Sequence, residues 1–141
     1  MSKLLQRLSD APKSGVYRVS RTDEILDATQ ESALQVSRIP LAGAADRQAL
    51  MQRIAGALQF PSWFGANWDA LEDCLADLSW LEARGHVLLF EGTAAVAEDE
   101  RGILLDVLAA AAASWMERGR PFFAVFLDGP AELADLYRSR K

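Results

Sequence analysis

The chain has 141 residues, half of them apolar and a quarter charged, which is the size and composition of one ordinary globular domain. Its formal net charge of −5 argues against a general nucleic-acid-binding protein, because such proteins present a basic surface. The single cysteine, Cys74, excludes an internal disulfide and a cysteine-based metal site. The longest apolar run, residues 107–116, is too short to span a membrane, and the N-terminus lacks the apolar core of a signal peptide. We therefore expect a cytoplasmic protein.

Strands and short helices alternate in the first part of the chain. Residues 1–14 have the pattern of a loose or helical arm. Residues 16–19 predict a strand, residues 23–32 a short helix, and residues 34–39 a second strand that ends at Pro40.

The remainder of the chain continues this alternation. The predicted elements are a helix capped by Asp46 and running to Leu58, an aromatic loop at 60–65, a helix from Asn67 to Leu78, a strand at 87–90, a helix at 98–118 closed by Gly119, a strand at 122–127 and a terminal helix at 130–138. The strands at 87–90 and 122–127 are apolar throughout, which is typical of parallel strands covered on both faces. We therefore predict a small α/β domain with a three-stranded parallel sheet covered by helices.

Acidic residues are concentrated in one region of the chain. Between Ser62 and Glu100 there are nine acidic residues and one basic residue, Arg84. This segment therefore carries a charge of −8, and the rest of the chain carries +3. An anionic patch of this kind attracts and steers a cationic partner.

The predicted helix from Asn67 to Leu78 separates apolar from acidic residues. At about 100° per residue, one sector contains the apolar side chains Leu71, Cys74, Leu75 and Leu78. The opposite side contains the acids Asp69, Glu72, Asp73 and Asp77. The three aspartates are spaced four residues apart, and like charges at that spacing cost about 0.2–0.5 kcal/mol per pair. This side is either an ordinary solvated surface or an anion array that docks onto a basic cleft.

An aromatic loop leads into this helix. Trp63, Phe64 and Trp68 surround Gly65 and Asn67. Large aromatic side chains beside exposed carboxylates are typical of interface anchors, whereas core positions for Phe64 and Trp63 are the alternative. We expect Gly65 to supply a backbone conformation that other residues resist, and Asn67 to cap the helix.

An enzyme and a metal-binding protein are the competing interpretations. Cys74 and His86 are the obvious nucleophile and base for thiol chemistry, but Cys74 falls on the apolar side of its helix, which favours a buried, inert thiol. Carboxylates suit Mg²⁺ or Ca²⁺, but their spacing here matches no EF-hand loop. We therefore predict no catalytic residue, no metal and no cofactor.

Residues 60–75 resemble the signature of the barstar family, which are small intracellular inhibitors of secreted ribonucleases of the barnase type. The shared core is a proline, two aromatic residues and Gly-x-Asn-x-Asp-Ala-Leu-x-Asp-Cys-Leu. The likeness extends more weakly over residues 34–128, through the same order of strands and helices. It implies a barstar-like domain at residues 34–141 and leaves residues 1–33 as an N-terminal extension with a possible extra strand and helix.

The resemblance also implies roles for individual residues. The aspartate matching Asp73 supplies the family's dominant contact, with its carboxylate in the ribonuclease site for the substrate phosphate. The aspartate matching Asp69 supports it with further salt bridges, and the aromatic residue matching Trp63 packs against a catalytic histidine of the nuclease. An acid at the start of the next helix adds an outer ion pair; Glu98 is the approximate match, and the two acids after it are alternatives.

Three positions depart from the family pattern: Trp63 replaces a tyrosine, Glu72 replaces a tryptophan, and Ala66 stands where an acid is familiar. The full set of expected partner-binding residues is Asp73, Asp69, Trp63, Glu72, Asn67, Gly65, Asp77 and Glu98. The expected partner is a basic secreted ribonuclease or related toxin, bound one to one, without direct contact to nucleic acid or membrane. A barstar-fold interaction or regulatory module with another basic partner is the rival interpretation.

Overall fold

The computed structural model describes residues 2–137 and is built around a five-stranded parallel sheet. Its α-helices are α1 (Lys3–Leu8), α2 (Asp23–Thr29), α3 (Arg47–Leu58), α4 (Trp68–Asp77) and α5 (Glu98–Glu117). Its strands are β1 (Gly15–Val19), β2 (Leu34–Pro40), β3 (Gly85–Glu91), β4 (Phe122–Leu127) and β5 (Ala134–Asp135). None of the helices in this part of the chain is long and apolar enough to cross a membrane.

The strand order β2-β3-β4-β1-β5 places the first strand of the chain inside the sheet. β1 pairs with β4 along its whole length on one side and with the short β5 on the other. The prediction of a parallel α/β fold is confirmed, but the prediction of three strands is wrong, because β1 and β5 extend the sheet to five. Pairing between segments so far apart in the chain leaves no local sequence pattern.

The terminal helix predicted at 130–138 is not formed in its described part, which ends at Tyr137; Arg138 lies outside the described residues. Arg18 of β1 holds this segment in a different conformation. Its Nε donates to the Leu133 carbonyl at 2.9 Å, and its guanidinium lies 3.6 Å from the Asp135 carboxylate. The Leu136 N–H donates to the Arg18 carbonyl. These long-range contacts with β1 override the local helical pattern.

Both faces of the sheet are covered, as the unbroken apolar runs predicted. In β3, Leu88 and Phe90 contact the core that includes residues of α3, α4 and α5. Val87 and Leu89 contact the second core, which includes residues of α1 and α2. Successive side chains of a strand point to opposite faces, so a doubly covered strand is apolar at every position. α4 therefore lies beside α5 on one face of the sheet.

Helix caps are found where the sequence predicted them, at the start of α3 and after α5. The Asp46 carboxylate accepts a hydrogen bond from the Ala49 N–H at 2.8 Å, at the start of α3. After α5, Gly119 has a φ of +73°, the left-handed conformation that closes many helices and that glycine adopts most readily.

His86 is buried at the start of β3. Its side chain has no exposed surface, and its ring meets the Trp115 ring edge-on, with 5.0 Å between centroids. Neither ring nitrogen has a hydrogen-bond partner among the described residues. Burial, reinforced by the positive charges of Arg120 and Arg118, lowers the pKa of His86 from 6.5 to about 4. His86 is therefore a neutral core residue at pH 7.

This buried histidine predicts a specific loss of stability in acid. Between pH 6.5 and 4 the unfolded chain binds a proton at His86 that the folded chain excludes. The free energy of unfolding therefore falls as the pH is lowered, by about 3 kcal/mol from this group. Urea denaturation at pH 7 and pH 4 should show a larger loss for the wild type than for His86→Phe. Equal losses would contradict this role.

Candidate protein-binding surface

α4 buries one side and exposes the other. Leu71, Cys74 and Leu75 have no exposed surface. The exposed side carries the four acids Asp69, Glu72, Asp73 and Asp77. The separation of apolar and acidic side chains predicted from helical periodicity is present in the structure.

Among the described residues, no basic side chain neutralises this acidic side. α4 contains no lysine or arginine. Within residues 2–137, none of its four carboxylates forms an ion pair. Within the described part of the chain, repulsion between like charges on successive turns is therefore uncompensated, and binding of a cationic surface relieves it.

The loop before α4 points one aromatic side chain outward and anchors the others. The Phe64 N–H donates to the Pro61 carbonyl at 3.1 Å, which closes a turn with Trp63 near its tip. Trp63 is 65% exposed. Phe60 and Phe64 pack edge to face, with 4.8 Å between ring centroids, and both lie against the core. Of the alternatives left open by the sequence, Trp63 is the solvent-facing residue and Phe64 packs on the core.

Ala66, rather than Gly65, adopts the left-handed conformation in this loop. The φ of Ala66 is +53°, whereas Gly65 lies outside that region, so the predicted conformational role of Gly65 is wrong. Gly65 instead permits a close approach of the Asn67 side chain, because a Cβ at residue 65 would lie 3.3 Å from the side-chain Nδ2 of Asn67. Asn67 caps α4 as predicted, since its Oδ1 accepts the Ala70 N–H at 2.8 Å.

Three acids occupy the first turn of α5, where they interact favourably with the helix dipole. Glu98 and Asp99 are exposed. Glu100 is half-buried, and one of its carboxylate oxygens is fully buried without a hydrogen-bond partner among residues 2–137. Glu98 and Asp99 are therefore the more accessible candidates for an outer contact.

The residues of the alternative thiol enzyme are both buried. Burial raises the pKa of the Cys74 thiol, and the nearby charges of Asp77 and Asp73 raise it further. A catalytic cysteine reacts as an accessible thiolate, which this environment disfavours. Among the described residues there is also no group of three or more His, Cys, Asp or Glu side chains placed to hold a metal ion.

The accessibility of Cys74 can be measured directly. We expect a thiol reagent such as 5,5′-dithiobis(2-nitrobenzoate) to modify native protein at least about a hundredfold more slowly than urea-unfolded protein, because reaction requires opening of the core. Absorbance of the released thiolate follows the reaction. Rapid modification of native protein would instead support an accessible nucleophile.

Two residues that the sequence analysis did not connect with α4 contact its C-terminal end. Trp115 and Arg118, in and just after the last turn of α5, donate hydrogen bonds to the carbonyls of Leu75 and Ala76. From the sequence, both were predicted only to lie in the helix at 98–118. A sequence feature that could have indicated these contacts was the absence of any basic residue in the last turn of α4.

Comparison with known proteins places the chain in a family. The family described as Barstar (barnase inhibitor) matches residues 34–127, and no curated protein matches the chain. Among solved structures, the chain is similar to the Aeropyrum pernix ORC2 protein in its ADPNP-ADP complexes, with a TM-score of 0.51 and 12% identity. The similarity covers 87% of this chain but only 36% of that one, and it concerns the fold alone. The family match spans well over half of the sequence and includes the aromatic loop and α4, so the chain belongs to the barstar family.

Proposed function

We propose that this chain inhibits a basic ribonuclease of the barnase type by placing the α4 carboxylates in the phosphate-binding site of the nuclease. The observation that carries the proposal is the exposed acidic side of α4, which no basic residue between 2 and 137 neutralises and which lies within the part of the chain that matches the family. A ribonuclease must hold a phosphodiester, so its active site is cationic. Carboxylates on a packed helix imitate phosphate oxygens and exclude the substrate.

The family resemblance, together with the spacing of the aspartates on α4, suggests how the contacts are divided. Asp69, Asp73 and Asp77 follow one another at four-residue intervals, about 6 Å apart along the helix axis. Asp73 is the central member and is proposed to occupy the phosphate site, with Asp69 and Asp77 pairing with flanking cations. Trp63, exposed on the loop that leads into α4, is proposed to supply an apolar contact. Glu98 is proposed to form the outer ion pair.

The uneven charge of the chain predicts a strong effect of salt on binding. The −8 segment attracts a basic nuclease over a distance, and salt screens that attraction. In surface plasmon resonance, the association rate with a barnase-type ribonuclease should fall at least about tenfold between ~50 and ~500 mM NaCl. The complex should form with one-to-one stoichiometry. An association rate independent of salt would contradict electrostatic recognition.

A barstar-fold module with another basic partner is the second candidate. It is favoured by Glu72, an exposed carboxylate where the family pattern has a tryptophan, since this change makes the surface more acidic and less aromatic. The same binding measurement, repeated with basic toxins that are not ribonucleases, separates the two candidates. Tight binding to such a toxin, together with no binding to the ribonuclease, would favour the module.

A further inference from the structure

The C-terminal end of α4 is completed by side chains from α5. The Trp115 Nε1 donates to the Leu75 carbonyl at 2.8 Å, and the Arg118 guanidinium donates to the Ala76 carbonyl. The carbonyls in the last turn of a helix have no partner within that helix. A cation at this end also interacts favourably with the helix dipole, and α4 has no basic residue there. α5 therefore supplies both the donors and the cation that the sequence of α4 lacks.

Trp115 and Arg118 form one preorganised unit. Trp115 is 2% exposed, so its indole is held by the core. The Arg118 guanidinium carbon lies 4.1 Å from the centroid of the Trp115 ring, which is cation–π geometry. The Arg118 guanidinium therefore stacks on the fixed Trp115 ring, and from there it reaches α4.

The contact leaves the acidic side chains free. Arg118 donates to backbone carbonyls, those of Ala76 and Ser114. It forms no ion pair with Asp77 among the described residues, although the two line the same surface cavity. A cation is thus placed at the end of the aspartate row without neutralising the carboxylate nearest to it.

We propose that Trp115 and Arg118 are positioning residues for the acidic side of α4. They hold the turn that carries Asp77 and immediately follows Asp73, so that the row is rigid before a partner arrives. This proposal rests on the proposed function above. Under this positioning role, the affinity of the acidic side of α4 for a partner depends on two residues that need not touch that partner.

In an Arg118→Gln variant, the loss of charge affects the association rate and the loss of positioning affects the dissociation rate. Loss of the cation makes the net charge more negative, so association with a basic partner is unchanged or slightly faster. Loss of the hydrogen bond lets the end of α4 fray, and reordering it must then accompany binding. The complex should therefore dissociate about five- to tenfold faster, with an association rate within about twofold of the wild type.

Native-state hydrogen exchange tests the same residue without any partner. The Leu78 N–H, which donates to the Cys74 carbonyl at the end of α4, should exchange about tenfold faster in Arg118→Gln. Arg118→Lys keeps the cation and a donor and should restore much of the protection. Arg21→Gln is the matched control, because it removes the same charge beside α2, on the other face of the sheet, and should change neither exchange nor dissociation.

The outcomes separate this proposal from the proposed function. Unchanged exchange at the end of α4 in Arg118→Gln overturns the positioning role. If the wild type binds the ribonuclease, faster exchange combined with unchanged dissociation in Arg118→Gln overturns the link between positioning and binding. If the wild type binds no ribonuclease, the proposed function fails together with that link, and the exchange result alone decides whether Arg118 positions α4.

Discussion

Replacing Asp73 with alanine should weaken the complex with a barnase-type ribonuclease by about a hundredfold or more. Asp73 is exposed, forms no ion pair within residues 2–137, and lies midway along the aspartate row of α4. In the proposed complex its carboxylate is buried among cations, and removing it would leave those cations desolvated without a partner. Isothermal titration calorimetry measures the loss of affinity, and stopped-flow kinetics should assign most of it to faster dissociation.

Asp27→Ala is the matched control for this variant. Asp27 is an exposed aspartate on α2, on the other face of the sheet, and its removal changes the net charge equally. The control should lower the affinity by less than about threefold, through long-range steering alone. Both variants should unfold within about 0.5 kcal/mol of the wild type, because both sites are exposed. An Asp73→Ala complex as tight as the Asp27→Ala complex would contradict the central role of Asp73.

Trp63→Ala should lower the affinity by about thirtyfold while leaving the fold intact. A large aromatic side chain that is 65% exposed on an anchored loop is typical of an interface hot spot, where truncation costs about 2 kcal/mol or more. Little stability is lost, because the core contacts of the loop belong to Phe60 and Phe64. Binding and urea denaturation measured on the same samples separate the two effects.

Trp63→Phe provides the comparison for that prediction. It keeps an aromatic ring at the turn and should retain most of the binding energy lost in Trp63→Ala, because apolar burial contributes most of the contact. Equal affinities for Trp63→Ala and the wild type would place Trp63 outside the interface.

Local patterns were sufficient to predict most of the elements but not the full sheet. The apolar runs of β3 and β4 predicted strands buried on both faces, and Asp46 and Asn67 marked helix starts. The position of β1 between β4 and β5 depends on partners more than a hundred residues away along the chain. The same long-range contacts, made by Arg18, prevent the helix expected after Pro130.

The acidic side of α4 was easier to predict than the residues that accompany and support it. Helical periodicity separates Asp69, Asp73 and Asp77 from the buried side of α4 without knowledge of the fold. The outward direction of Trp63 depends on a turn closed by backbone groups, which the loop composition does not reveal. Arg118 lies forty-two residues from Ala76, to whose carbonyl it donates, and its sequence neighbours give no sign of that contact.

Inhibition of a barnase-type ribonuclease by the purified chain, with Asp73→Ala in parallel, tests the proposed mechanism most directly. Nuclease activity on a fluorescent RNA substrate is measured as each protein is titrated into a fixed amount of enzyme. We expect activity to fall linearly to zero at one equivalent of wild type, and to persist at that ratio with Asp73→Ala. Full nuclease activity in the presence of excess wild type would contradict the proposed function, and equal inhibition by the two proteins would contradict the phosphate-mimicking role of Asp73.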